Sequence, residues 1–286
     1  MIEKVAVLPI INSNYNTFTK SEKKVADLVI KDPRLILFSS ITDLAYKSKV
    51  GETTVLRFCR KLGFNGYQEF KMKLALSIQS DNEVLELLNS EIVKEDTLIE
   101  VSKKVLSTNI SALNETFELL DYQALATAVE YMLNAKRIVF FGVGASAITA
   151  CEAKNKFMRI TSHVESTFDS HMQAMIASLM EINEVAVGFS YSGSTKDTLE
   201  AIRIAKEAGA KTICITRFAK SPITQYADVV LLVGSKEGPL QGGALSTKMA
   251  QLYMIDILYT EFFRRKSELS KFNKEKTSAA ISNKLY

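Results

Sequence analysis

Six consecutive residues, Ser190-Tyr191-Ser192-Gly193-Ser194-Thr195, set four serine and threonine hydroxyls around one glycine. Hydroxyls and free backbone N–H groups at the start of a helix make a cage of donors for an anion with no positive side chain needed, a chemistry suited to a phosphate monoester. Ser and Thr are also favoured as helix caps, so a serine-rich helix start has a purely structural explanation too. A second stretch, Gly142-Val143-Gly144-Ala145-Ser146, follows an apolar run and opens a helical segment. Glycines there allow a tight turn and close approach of the backbone to an anion. The third glycine of a dinucleotide fingerprint would fall at position 147, where Ala147 is a permitted variant, so the bare pattern is a weak signal. His171, in Asp169-Ser170-His171, follows another apolar run and could lie near the same crevice, although a lone histidine is more often structural. His163 is read as structural, and Glu152 and Lys154 as a solvated helix face.

Nearer the N-terminus, a helical segment over Glu52–Leu62 turns Val55, Phe58, Cys59 and Leu62 inward. Thr53, Thr54, Arg57, Arg60 and Lys61 are left on the outward face. A recognition helix presents its first residues to base edges in the major groove. Arg57 could grip a guanine bidentately, and Thr53 and Thr54 could touch bases or phosphates. Arg60, Lys61, Lys71 and Lys73 are better assigned to phosphates, which position a protein without reading sequence. The bland alternative is an exposed basic helix of a helical bundle.

Both constellations depend on the elements that carry them. Thr19-Lys20-Ser21-Glu22 is a capping box ahead of Val25, Ala26, Leu28 and Val29 at helical spacing. Asp32-Pro33 stops that helix and starts another. A third begins near Ser40, with Asp43 as its weaker cap partner, and Val50-Gly51 breaks it before the basic helix, which Gly63 ends. Two short helices joined by so tight a turn form a helix-turn-helix. Residues 78–134 read as amphipathic helix, a structured connector rather than a floppy one. Beyond Lys136, apolar and often β-branched runs at Ile138–Phe141, Val164–Phe168, Val185–Phe189, Thr212–Thr216 and Val229–Val233 alternate with helical stretches, notably Ala147–Ile160, Lys196–Ala208 and Ser246–Phe263. That alternation predicts an open parallel sheet covered on both faces, with the two anion loops at the carboxyl ends of its first and third strands, where ligands of such sheets bind. From about Arg264 the chain is basic and polar, read as a helix end followed by a loose tail.

Composition limits the classes open to the chain. Of 286 residues, 47% are hydrophobic and 24% charged, an ordinary soluble balance. No apolar run approaches membrane-spanning length, and the apolar start, Met1 to Ile11, is too short and too weakly basic for a signal peptide. Cys59, Cys151 and Cys214 are scattered and odd in number, which predicts buried free thiols in a reducing, cytoplasmic compartment. Two histidines and no paired cysteines leave no metal site to name, and no cofactor is implied. Residues 1–78 carry 13 Lys/Arg against 7 Asp/Glu, while the remainder carries 23 against 25. A small basic module joined to a near-neutral larger one is the charge pattern of a nucleic-acid reader attached to something else.

These residues resemble a known family. Thr53-Thr54-Val55-Leu56-Arg57-Phe58-Cys59-Arg60-Lys61-Leu62-Gly63-Phe64, followed by Gly66-Tyr67-Gln68-Glu69-Phe70-Lys71, is similar to the DNA-binding domain of RpiR/MurR regulators. The two loops and Ala250-Gln251-Leu252-Tyr253-Met254-Ile255-Asp256 resemble the landmarks of a sugar isomerase (SIS) domain. The resemblance spans nearly the whole chain. It implies a helix-turn-helix domain over 1–78, a helical connector over 79–120 and a SIS domain over 121–286. The function implied is a regulator, most simply a repressor, of sugar or amino-sugar catabolism genes. It would bind a double-stranded operator as a homodimer or tetramer and answer to a phosphosugar. By the same resemblance Ser190, Ser192 and Thr195 hold the phosphate, Ser146 and His171 lie near the sugar, and Lys248 is a weaker candidate; Ser194 joins the phosphate set as a hydroxyl of the same loop. Two positions depart from the pattern: Lys49 stands where the turn usually has glycine, and Gly51 where the recognition helix usually has a serine cap. An aldose–ketose phosphate isomerase with a helical extension is the rival reading. It would need a proton-moving base, for which Glu152, His171 and Glu237 are candidates without a marked pair.

Overall fold

The computed structural model describes residues 7–78, 92, 94–235, 245–282 and 284. Part of the connector (79–91 and 93) and Glu237 lie outside the described residues. The described residues divide into two compact units, one running to Thr108 and the other comprising Asn109–Ser235 and the chain from Ser246.

The first unit is all helical: α1 (Val7–Asn14), α2 (Lys20–Lys31), α3 (Pro33–Leu37), α4 (Ile41–Lys47), α5 (Glu52–Lys61) and α6 (Tyr67–Ser77). The caps read from the sequence are formed. Thr19 and Glu22 make the reciprocal capping box of α2, and Ser40 and Asp43 that of α4. Asp32 caps α3 through Leu35 N–H at 2.9 Å, with Pro33 in the first turn. Val25, Val29, Ile36, Leu44, Val55, Phe58, Phe70 and Leu74 close one core, with Phe58 and Phe70 edge to face at 5.8 Å. A helix of α1's length is not stable alone in water; its buried Val7 and Ile11 attach it to this core, a tertiary contact that the sequence reading of the apolar start did not foresee.

A long helix, α7 (Leu98–Glu118), contains the division at Thr108, and α8 (Tyr122–Asn134) follows. The second unit then alternates β1 (Arg137–Phe141), α9 (Ala145–Phe157), β2 (Val164–Ser166), α10 (Ser170–Ser178), β3 (Glu184–Phe189), α11 (Lys196–Glu207), β4 (Lys211–Thr216), a 3-10 turn (Pro222–Tyr226), β5 (Val229–Leu232) and α12 (Leu245–Arg265). All strand pairs are parallel, in the order β2-β1-β3-β4-β5. Side chains alternate across the sheet, as a pleat requires. Ile138, Phe140, Val185, Val187 and Phe189 face α8, α9 and α12. Val139, Phe141, Ala186 and Cys214 face α10 and α11. On this second face α11 lies close to β3: a Cβ on Gly188 would stand 2.7 Å from Ile202 Cγ1.

The reading of the C-terminal segment is corrected. In place of a loose tail, α13 (Ser267–Ser282) is a 16-residue helix. Asn273 Nδ2 donates to Ile160 O at 2.8 Å and Thr277 Oγ1 to Arg159 O at 3.1 Å, which docks the helix on the turn that follows α9. Its polar surface hid it, because it is held by hydrogen bonds more than by an apolar stripe. The thiols are corrected in part: Cys59 and Cys214 are buried and pushed up to about 12 by desolvation, but Cys151 is only half-buried.

Candidate functional site

In the second unit the chain passes from β1 to β2 on one side and then crosses to β3 on the other, so the strand order reverses between β1 and β3. Loops leaving the carboxyl ends of strands on either side of such a reversal bound a crevice. Those loops here are Gly142–Ser146 and Ser190–Thr195. The second is tightly tied. Ser190 N–H donates to Ile215 O and Gly193 N–H to Ser190 O, both at 3.1 Å. Ser194 N–H donates to Ser192 Oγ at 3.2 Å, Ser194 Oγ to Ser192 O at 3.2 Å, and Ser190 Oγ to Thr195 Oγ1 at 3.4 Å. Gly193 sits at φ +61°, and a Cβ there would fall 2.0 Å from Ser221 Oγ. Thr195 occupies the N-cap position of α11 without a side-chain capping bond. The first N–H groups of that helix, with its partial positive charge, therefore face the crevice end.

The first loop is similarly restricted to glycine: a Cβ on Gly142 would stand 2.7 Å from Ser146 O, and Gly144 has φ +59°. Ser146 is half-buried in the first turn of α9. His171 is exposed in the first turn of α10, and no hydrogen bond joins it to either of these loops. Lys248 lies half-buried in the first turn of α12, and Glu152 is exposed. Three contributors escaped the sequence reading. Buried Gln173 donates through Nε2 to Gly142 O at 2.7 Å and Thr167 O at 2.8 Å, tying the loops after β1 and β2 together. Tyr191 OH donates to Ser235 O at 3.0 Å. Ser235 Oγ lies 2.8 Å from Ser246 Oγ and 3.0 Å from Thr247 Oγ1, a buried hydroxyl cluster where β5 ends and α12 begins. A glutamine that bridges two carbonyls has no local signature, so only the folded sheet reveals it.

In the first unit α4 and α5 are joined by Ser48–Gly51. Val50 N–H closes the turn on Ala45 O at 2.9 Å, and Thr42 Oγ1 donates to Glu52 Oε1 at 2.6 Å across the two helix starts. Lys49 adopts φ +53°, which explains why glycine suits that place. A side chain in this region strains the backbone by about 1–2 kcal/mol. Gly51 is the N-cap of α5, without a side-chain bond. Thr53, Arg57 and Arg60 are exposed along α5, and Lys49 is exposed beside them with Tyr46 and Lys47, two residues not singled out from the sequence.

Three members of the proposed DNA-facing set need correction. Thr54 is buried; its Oγ1 accepts from Arg57 Nη2 at 3.4 Å, so it orients the arginine from behind. Lys61 keeps an exposed side chain, but its ammonium donates to Thr17 O at 2.5 Å and sits 3.4 Å from Glu22 Oε2. Lys71 is buried, donating to Leu37 O at 3.2 Å and Ser39 O at 3.1 Å, so its ammonium caps the carbonyls that end α3 and is not presented to phosphate. The lysine sits on the inward face of α6, where its long stem packs and only its head needs partners.

Burial holds the Lys71 amine down at about 8, against 10.5 unperturbed, with Asp43 opposing. Between those pH values the unfolded chain binds a proton that the folded chain does not, so stability rises with pH. Unfolded-state ionisation of Cys59 begins to oppose this near its ordinary pKa of 9. Raising the pH from about 7.5 to about 9 is expected to stabilise the wild type over Lys71→Met by roughly 1 kcal/mol. Urea unfolding followed by circular dichroism at both pH values measures it, and an identical pH response in the variant would refute the assignment.

No described helix is long and apolar enough to cross a membrane, and the described residues hold no cluster of three or more His, Cys, Asp or Glu able to bind a metal. The chain matches the family model of the helix-turn-helix domain, rpiR family, over residues 5–81 and that of the SIS domain over 131–261. It is 39% identical over 276 residues, 96% of either chain, to an uncharacterized HTH-type transcriptional regulator of Haemophilus influenzae. It is 33% identical over 250 residues to the HTH-type transcriptional regulator HexR of Pseudomonas aeruginosa, covering 87% of this chain and 86% of that protein. Among solved structures, the Vibrio vulnificus NanR protein complexed with ManNAc-6P superposes with a TM-score of 0.87 at 28% identity, over 98% of this chain and 100% of that one.

Proposed function

The chain belongs to the RpiR family of helix-turn-helix transcriptional regulators, with a SIS domain, and from that premise we propose that it represses sugar or amino-sugar catabolism genes under control of a phosphosugar. The observation that carries the sensing half of the proposal is the Ser190–Thr195 loop. It is a hydroxyl-lined turn at the sheet's reversal point, opening directly onto an uncapped helix start. In this reading Ser190, Ser192, Ser194, Thr195 and the first N–H groups of α11 take the phosphate, and Ser146 and His171 lie toward the sugar. ManNAc-6P, the ligand of NanR, is the first compound to test.

The DNA-reading half rests on residues 1–78, with Thr53 and Arg57 toward bases and Arg60 toward phosphate. Residues 79–120 form the connector, and 121–286 the sensing domain. A homodimer or tetramer would present paired recognition helices to a roughly palindromic operator. The protein works in the cytoplasm, where both ligands are found. The phosphosugar can shift operator affinity only as far as it prefers one arrangement of the protein, and DNA must change phosphosugar affinity by the same factor.

A thermal-shift panel of sugar 6-phosphates and their unphosphorylated parents tests the sensing site. A ligand at about 100 times its Kd stabilises by ~2.7 kcal/mol. The expected hit requires the phosphate and vanishes in the Ser190→Ala/Ser192→Ala double variant. A shift that survives that variant, or that the unphosphorylated sugar gives equally, defeats the proposal.

A further inference from the structure

The contacts of Tyr191, within the Ser190–Thr195 loop, lead away from it. The Tyr191 carbonyl accepts from Arg217 N–H at 3.1 Å and from Thr216 Oγ1 at 3.2 Å. Its phenol donates to Ser235 O at 3.0 Å, and its ring meets Phe218 edge to face at 6.0 Å. Tyr191 thus ties the loop to the carboxyl ends of both β4 and β5.

The same two strand ends hold α7. Arg217 Nη2 lies 2.6 Å from Glu115 Oε1, the two side chains being 22% and 30% exposed. Gly234 N–H donates to Thr116 Oγ1 at 2.9 Å, and a Cβ on Gly234 would stand 2.5 Å from Glu115 Cβ and 2.6 Å from Thr116 N. Helix and strand end touch there without slack. A packed contact of this kind transmits a displacement instead of absorbing it. Toward its N-terminus the same 21-residue helix passes Thr108 into the residues grouped with the DNA-binding unit.

We infer that Tyr191, Arg217 and Gly234 fasten the anion loop to Glu115 and Thr116, so that phosphosugar occupancy is conveyed to α7 and along it toward the DNA-binding unit. Arg217 and Glu115 are positioning residues in this scheme and touch no ligand. The inference rests on the anion site proposed above. It differs from spatial intermediacy alone because a particular ion pair is required, and a double-mutant test can address that pair.

Hydrogen exchange on the full chain, read by mass spectrometry, separates the two ideas. The probes are ManNAc-6P and other amino-sugar and hexose 6-phosphates at saturation. In the wild type, exchange is expected to slow at 190–195 and, on the order of fivefold, at 98–108, the low end of ordinary coupling between sites. Glu115→Gln, Arg217→Gln and the double variant should keep the slowing at 190–195, which also shows that they are folded, and lose it at 98–108 to the same extent. Slowing confined to 190–195 in the wild type overturns the coupling and leaves the anion site standing. So does an α7 response that survives the variants, or losses that add in the double variant. Absence of slowing at 190–195 with every probe overturns the anion site and the coupling with it.

Discussion

Replacing Gly193 with alanine is expected to weaken phosphosugar binding by on the order of a hundredfold and to destabilise the SIS unit by roughly 2–4 kcal/mol, combining left-handed strain with overpacking. The backbone stands at φ +61° there, and the added methyl would fall 2.0 Å from Ser221 Oγ and 2.4 Å from Ser221 Cβ. Ser221 has little freedom to retreat, because its N–H donates to Thr224 Oγ1 at 3.2 Å in capping the 3-10 turn and it is buried. The loop must then move, and with it the hydrogen bond from Ile223 N–H to Gly193 O, 2.9 Å in the wild type. Losing even one or two charge-assisted hydrogen bonds to a phosphate, each worth about 1.5–3 kcal/mol, weakens binding by on the order of a hundredfold. Titration calorimetry with the best phosphosugar of the panel, beside the melting temperature of the unliganded chain, separates the two effects. A Gly193→Ala protein that binds within tenfold of wild type would mean that the phosphate sits elsewhere.

The two loops of the proposed site stand out in the sequence because such loops use residues with local signatures. Glycines are needed where φ is positive, hydroxyls where donors converge, and an apolar run marks the strand behind. The five strands were legible for the same reason, since buried parallel strands read as short continuous apolar runs. Val164–Phe168 was read too long: β2 ends at Ser166, and Phe168 is exposed. Position on a helical wheel was a poorer guide. Thr54 and Lys71 have polar side chains at plausible outward spacing, yet one lies behind Arg57 and the other under the end of α3. Nothing in sequence spacing says which polar groups will find carbonyls inside. The contacts of Gln173, Tyr191 and Arg217 have no sequence signature for a related reason, because each joins segments that meet only when the sheet is assembled. Local chemistry was legible, and the tertiary polar contacts that hold it in place were not.

The second large effect expected is on DNA, and it distinguishes reading from anchoring. Arg57→Ala should weaken binding to the preferred operator by about 1–3 kcal/mol and relax the preference at one base pair of each half-site. Its guanidinium is exposed on α5 and steadied by Thr54 Oγ1 at 3.4 Å, so it is presented as a fork and not as a free-swinging charge. Arg60, exposed one turn further along, should behave as an anchor. Arg60→Ala is expected to weaken all sequences alike and to reduce the slope of log K against log salt by about 1 for each bound protomer. Lys71→Met supplies the contrast: its ammonium is already engaged by Leu37 O and Ser39 O, so the salt slope should stay at the wild-type value. The measurement is a fluorescence-anisotropy titration of all three variants between about 50 and 200 mM salt, on DNA selected in vitro against the full chain and on scrambled DNA. If Arg57→Ala lowers affinity for both DNAs equally and flattens the slope, Arg57 is an anchor. The base-reading role then has to pass to Thr53, to Lys47 at the end of α4 or to Lys49 in the turn.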